Sequence, residues 1–218
     1  MKADEIAGGS RQQLPYVWVT WLRDYISADK CKWKSWYMSN FRYAKKKEDT
    51  SFDLESWTKQ HNEMTDKRVK ILLRQGYDVR VEEENAFKLS GKTGIVLSGK
   101  PDIVALNHDT KEALVIDEKS GRKLPKNRWQ VLIYMFALPL VWRSKWKITG
   151  EVEYRGDKLT IPLIGAIEWS QIVSGMSALG SSIEPARTPS VGECKYCKIL
   201  HCPERIEVQN DEAQTTLF

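Results

Sequence analysis

Several things are scarce in this sequence. Its 218 residues hold only four cysteines and three histidines. The longest apolar run, Val131 to Trp142, is 12 residues and contains Pro139, whereas a bilayer-spanning helix needs about 20. The N-terminal stretch MKADEIAGGSRQQ has no apolar segment of the secretory kind. No internal repeat, no low-complexity tract and no G-x-x-x-x-G-K-[ST] phosphate loop is present. The expectation is a cytoplasmic chain that is neither exported nor embedded in a membrane and carries no helicase motor. With 41% hydrophobic and 29% charged residues the composition is globular. The length supports one sizeable core.

Acidic residues are also missing from one long stretch. The chain has 34 Lys and Arg against 29 Asp and Glu, a net charge of +5. From Lys119 to Gly150 there are eight Lys or Arg and no Asp or Glu, with Trp129, Trp142 and Trp146 interleaved. Cations spaced among aromatics suit a polyanion with stackable bases, because phosphates release counterions and bases stack on rings. A solvated basic helix with core tryptophans has the same pattern. Arg122, Lys123, Lys126, Arg128 and Trp129 are the candidate DNA contacts.

Periodicity orders the rest. Residues 14–47 are aromatic and basic and read as helical pieces. Residues 53–75 predict a helix capped by Asp53 and stopped by Gly76, with Trp57, His61, Met64, Arg68 and Leu72 on one face. Residues 77–88 and 94–106 read as strands joined near Ser90–Gly91, and 112–118 as a third after the turn Asn107–Thr110. Residues 126–138 return to helix, ended or kinked by Pro139. Residues 148–155 and 158–168 read as a hairpin, and 171–180 as a further helix. The expected fold is a single α/β domain over residues 1–206, a central mixed sheet flanked by helices. Residues 207–218 read as a polar tail.

The sharpest cluster is GKPD at 99–102 followed by IDEK at 116–119. Alternate strand residues share a face, so Asp117 and Lys119 point one way and Glu118 the other. Asp102 meets Asp117 if the two strands pair in register. Two carboxylates suit Mg²⁺ or Mn²⁺, and an adjacent lysine can hold a phosphate or orient a metal-bound water. Gln130 and Tyr134 are four apart and share a helical face, although a tyrosine there also fits a core position. A lone His61 on an apolar stripe is ordinarily a core residue, and it becomes a metal-ligand candidate only beside the downstream carboxylates.

Together these residues resemble the PD-(D/E)xK nucleases of the RecB type, over about residues 57 to 135. The resemblance implies a restriction-endonuclease-like fold with His61, Asp102, Asp117 and the carbonyl of Glu118 as metal ligands. It makes Lys119 catalytic and gives Gln130 and Tyr134 supporting roles at the site.

Cys194, Cys197 and Cys202 form C-x₂-C-x₄-C, and Cys31 lies 163 positions before them. In a reducing compartment disulfides are not expected. Four thiolates suit Zn²⁺ or an iron–sulfur cluster equally, and His201 is an alternative ligand for zinc. One early and three late cysteines resemble the iron-staple nucleases, among them AddB and the Cas-four family of CRISPR adaptation nucleases. SADKCKWKSWY at 27–37 carries the early match. That resemblance implies a [4Fe–4S] cluster and covers residues 27 to 203. It also implies trimming of DNA ends, single-stranded or frayed, beside a CRISPR integrase in antiviral defence. A repair or phage recombination exonuclease, and a DNA-end-binding subunit without activity, share the same features. The usual spacing before the last cysteine is five residues and here it is four, which leaves Fe against Zn open. Closing a loop of about 160 residues costs an unliganded chain about 4–5 kcal/mol. Finally, QTTLF at 214–218 resembles a sliding-clamp-binding peptide, with Gln214 at the rim and Leu217 and Phe218 in an apolar pocket.

Overall fold

The computed structural model describes residues 9–43, 53–199 and 202–207. Among them the chain begins with β1 (Ser10–Arg11), β2 (Tyr16–Trp18), α1 (Val19–Ile26), α2 (Lys32–Asn40) and β3 (Phe41–Arg42). The long helix α3 (Leu54–Arg74) leads into β4 (Asp78–Val81), β5 (Phe87–Ser90), β6 (Val96–Gly99), β7 (Ile103–Asn107) and β8 (Glu112–Lys119). Then come α4 (Pro125–Trp142), β9 (Lys147–Tyr154), β10 (Asp157–Ile161), α5 (Ala166–Gly180) and α6 (Val191–Lys195).

The expected central mixed sheet is present, with strand order β10-β9-β8-β7-β4. Among the described strands of this sheet only β8 and β9 run parallel, and α4 makes their crossover, as a parallel pair requires. Helix α3 covers one face, where Leu72 packs against Ile103, Ala105 and Ile116. Helix α4 covers the other, in the main core with Val104, Val115 and Val152. Close approach of α4 to the sheet depends on Gly150: a Cβ there would lie 2.3 Å from a methyl of Val131 and 2.8 Å from the sulfur of Met135.

Asp53 caps α3 as expected, accepting from the Ser56 amide at 2.9 Å. Gly76 follows its end in a left-handed conformation, φ 84°. Three expectations need correction. Residues 77–88 and 94–106 are not two long strands. A 3₁₀ turn at Glu82–Asn85 breaks the first, and Pro101, which has no N–H to give a ladder, separates β6 from β7. β5 and β6 join β2 in a separate three-stranded sheet. Helix α4 runs through Pro139 to Trp142. The lost hydrogen bond and ring clash cost about 3 kcal/mol, and burial of Val131, Leu132, Ile133, Met135 and Leu138, at about 1.5–3 kcal/mol each, outweighs that. Finally, β10 stops at Ile161 because Pro162 cannot continue it, and α5 begins at Ala166 rather than 171.

Candidate active site

The site sits where β7 begins and β8 ends. Ile103 pairs with Ile116, and one step beyond this register Asp102 comes opposite Asp117. Asp102 Oδ2 accepts the Glu118 backbone N–H at 2.7 Å, which locks the end of β8 onto the turn before β7. Asp117 is fully buried, and Lys119 Nζ lies 2.5 Å from its Oδ2. Burial, opposed by Lys119 and reinforced by Asp102, holds the Asp117 carboxyl above the ordinary aspartate range. Burial raises Asp102 as well. Two desolvated acids side by side favour arrival of a cation.

Helix α4 supplies the layer behind them. Gln130 Nε2 donates to Asp117 Oδ1 at 2.7 Å and to the Tyr134 hydroxyl at 3.2 Å. Tyr134 donates to the Lys100 carbonyl at 3.1 Å, so it ties the same network to the GKPD turn. Burial raises its phenol well above the usual range. Both residues share the helical face expected of them. One contributor has no sequence signal: Arg23 on α1, 107 positions before Gln130, donates to Gln130 Oε1 at 2.7 Å.

Helix α3 closes the other side. A cleft is lined by Trp57, Gln60, His61, Asp102, Asp117, Glu118, Lys119 and Gln130, among others. The His61 ring stacks on Trp57, with centroids 5.3 Å apart and planes within 5°. Burial lowers the His61 pKa, which keeps the imidazole neutral and able to act as a ligand. Glu118 points to the α3 side, where Thr65 donates to its Oε2. The Thr65 hydroxyl also lies 3.1 Å from the His61 carbonyl. Burial pushes Glu118 up to about 7. Trp57, Gln60 and Thr65 join the site beyond the sequence expectation. The i, i+4 spacing of Trp57, His61 and Thr65 was the available signal.

The donor set fits a hard divalent ion. His61 Nδ1 is buried without a hydrogen-bond partner, and an orphaned imidazole nitrogen in a cleft with two carboxylates is what a cation would satisfy. Among the described residues no group of three or more His, Cys, Asp or Glu side chains stands as a set that could hold a metal ion.

The expected DNA contacts are placed differently from one another. Arg122 is exposed at the end of β8. Lys123 pairs with Asp157, Lys126 with Asp24 at 3.6 Å, and Arg128 with Glu168 at 2.7 Å. Trp129 is half-buried against the main core.

The four cysteines are free thiols and line one cavity with Trp33, Lys34, Arg187, Glu193 and Arg205. Cys31 stands at the start of α2 and Cys194 on α6. Burial raises the Cys197 thiol pKa. The loop around them is shaped by Arg205, which donates to the carbonyls of Cys194 at 2.9 Å, Ile199 at 3.1 Å and Cys197 at 3.2 Å. Lys30 pairs with Glu193 at 2.8 Å across the same junction. All four cysteines thus line one cavity. His201 and the 214–218 segment lie outside the described residues.

No curated protein matches this chain. Among solved structures it is similar to the one described as "Crystal structure of SSO0001", at 16% identity over 92% of this chain and 91% of that one, with a TM-score of 0.45. The profile of the PD-(D/E)XK nuclease superfamily matches residues 32–202, a span that includes every proposed ligand of the cleft and three of the cysteines. On that match the chain belongs to the PD-(D/E)XK nuclease superfamily.

Proposed function

We propose that the chain is a metal-dependent DNA exonuclease. The observation that carries this reading is the convergence of Asp102, Asp117 and Lys119 on one cleft wall, with a neutral His61 opposite. His61, Asp102, Asp117 and the Glu118 carbonyl would hold Mg²⁺ or Mn²⁺. When bound, the ion supplies an acidified water and neutralises charge at the phosphate. Lys119 brings positive charge into the cleft beside Asp117. Gln130 and Tyr134 keep the Asp117 carboxylate and the Lys100–Asp102 turn in fixed relation. The test is cleavage of single-stranded and frayed oligonucleotides with and without Mn²⁺. Loss in Lys119→Ala, in protein that still folds, supports an enzyme. Equal DNA binding with no cleavage by either protein favours a DNA-end-binding subunit.

The cysteine cavity is read as a structural [4Fe–4S] site held by Cys31, Cys194, Cys197 and Cys202, with zinc as the competing ion. Thiols from the early helix and the late loop meeting in one cavity support it. Iron and sulfide content of anaerobically purified protein decides between them. The plan resembles the Cas-four nucleases, so the reading extends to processing DNA fragments with a CRISPR integrase. A pull-down with that integrase tests this against a repair or phage role. Residues 214–218 are read as a sliding-clamp peptide; their deletion would abolish clamp binding and leave cleavage of free oligonucleotides intact.

A further inference from the structure

Arg23 lies before the stretch matched by the superfamily profile, which begins at residue 32, and on an element that contributes no residue to the cleft lining. Its guanidinium is a donor only and cannot accept. It donates to Gln130 Oε1 at 2.7 Å, so the amide oxygen of Gln130 must face α1. That leaves the NH₂ facing the site, where its two hydrogens go to Asp117 Oδ1 and the Tyr134 hydroxyl. Tyr134, having accepted, donates onward to the Lys100 carbonyl. Every bond in this chain runs outward from Arg23. If the amide turned over, its oxygen would face the Asp117 carboxylate and two acceptors would oppose each other in a buried site. Gln130 and Tyr134 are almost fully buried and Asp117 completely so, so water cannot mend such a mismatch. Arg23 is itself held in place: Asp24 Oδ1 lies 2.9 Å from its Nη2 and 3.0 Å from its Nε.

We propose that Arg23 is a positioning residue of the nuclease site: it fixes the sense of the Gln130 amide, and through it the Asp117 carboxylate and the Lys100–Asp102 turn. The inference rests on the reading of Asp117 as a metal ligand. The experiment measures Mn²⁺ affinity of the DNA-free protein by electron paramagnetic resonance, beside cleavage and melting temperature. The variants are Arg23→Ala, Gln130→Ala, the double variant and Asp117→Ala. Arg23→Met, which keeps the packing of the stem and removes the donors, serves if Arg23→Ala does not fold. Loss of Arg23 is expected to weaken Mn²⁺ binding about tenfold, as for outer-shell partners of metal ligands. The double variant should be no worse than Gln130→Ala, because Arg23 acts through that amide. Unchanged Mn²⁺ affinity in Arg23→Ala or Arg23→Met overturns the proposal, as does a double variant whose loss is the product of the single losses. A failure of the underlying site reading looks different: Asp117→Ala itself would then bind Mn²⁺ and cleave like the unmodified chain.

Discussion

Asp117 and Glu118 are chain neighbours whose side chains serve opposite faces of one sheet. Asp117 turns to α4 and Gln130, and Glu118 turns to α3 and Thr65. The strand period of two imposes this split. Their substitutions should therefore separate. Asp117→Ala is expected to abolish Mn²⁺-dependent cleavage, whereas Glu118→Ala, whose side chain faces the other way, should do much less damage. Single-turnover cleavage with matched melting curves checks this, and equal damage from both would contradict the roles given to the two faces.

Glu118 also predicts how stability depends on pH. Its carboxyl is raised from 4.5 to about 7 by burial. Between those values the folded chain binds more protons at this position than the unfolded chain. Stability therefore falls as pH rises through that window, and below pH 4.5 the two states do not differ here. In metal-chelated protein Glu118→Gln should remove this slope and raise the melting temperature at pH 8 by about 2–4 °C. A variant that melts earlier than the parent at pH 8 would show that the ionised carboxylate is stabilised where it lies.

Gly150 tests the packing of α4 on the sheet. Gly150→Ala sets a methyl against Val131 and Met135, and Val131, being β-branched, has little rotamer freedom on a helix. The expected loss is about 1–3 kcal/mol, read by denaturant unfolding. Gly121→Ala, with nothing within 4 Å of the added carbon, is the control and should leave stability nearly unchanged.

The cysteine cavity makes a prediction about stability rather than chemistry. Cys197→Ala should remove visible absorbance and lower the melting temperature by about 5 °C or more, while the protein that still folds cleaves at a comparable rate. Cys31→Ala should behave in the same way. Unchanged melting and absorbance in Cys31→Ala would remove it from the ligand set.

The local part of this site was legible in the residues themselves. The face shared by Asp117 and Lys119 follows from strand alternation, and the pairing of Asp102 with the end of β8 follows from a short hairpin register. The caps of α3 are likewise a matter of Asp53 and Gly76. What escaped was set by tertiary contact. Arg23 reaches Gln130 across 107 positions, and no periodicity encodes that. Helix α4 passes Pro139 because burial outweighs a local penalty, a sum that propensity alone does not contain. The ion pairs of Lys123, Lys126 and Arg128 draw on Asp157, Asp24 and Glu168, which lie on other elements, so a basic stretch in the sequence is partly neutralised in the fold.

Helix α2 rests on residues made much later. Asn40 Nδ2 donates to the Leu179 carbonyl, Trp36 Nε1 to the Ser181 carbonyl and Trp33 Nε1 to Glu184, while Gly175 lies against Leu22 and Ile26 of α1. During synthesis, α1 and α2 leave the ribosome with these partners still more than a hundred codons away. Until α5 emerges these bonds are missing, and Arg23 rides on α1. The support beneath α1 and α2 is thus completed late in translation, after every residue of the cleft has been made.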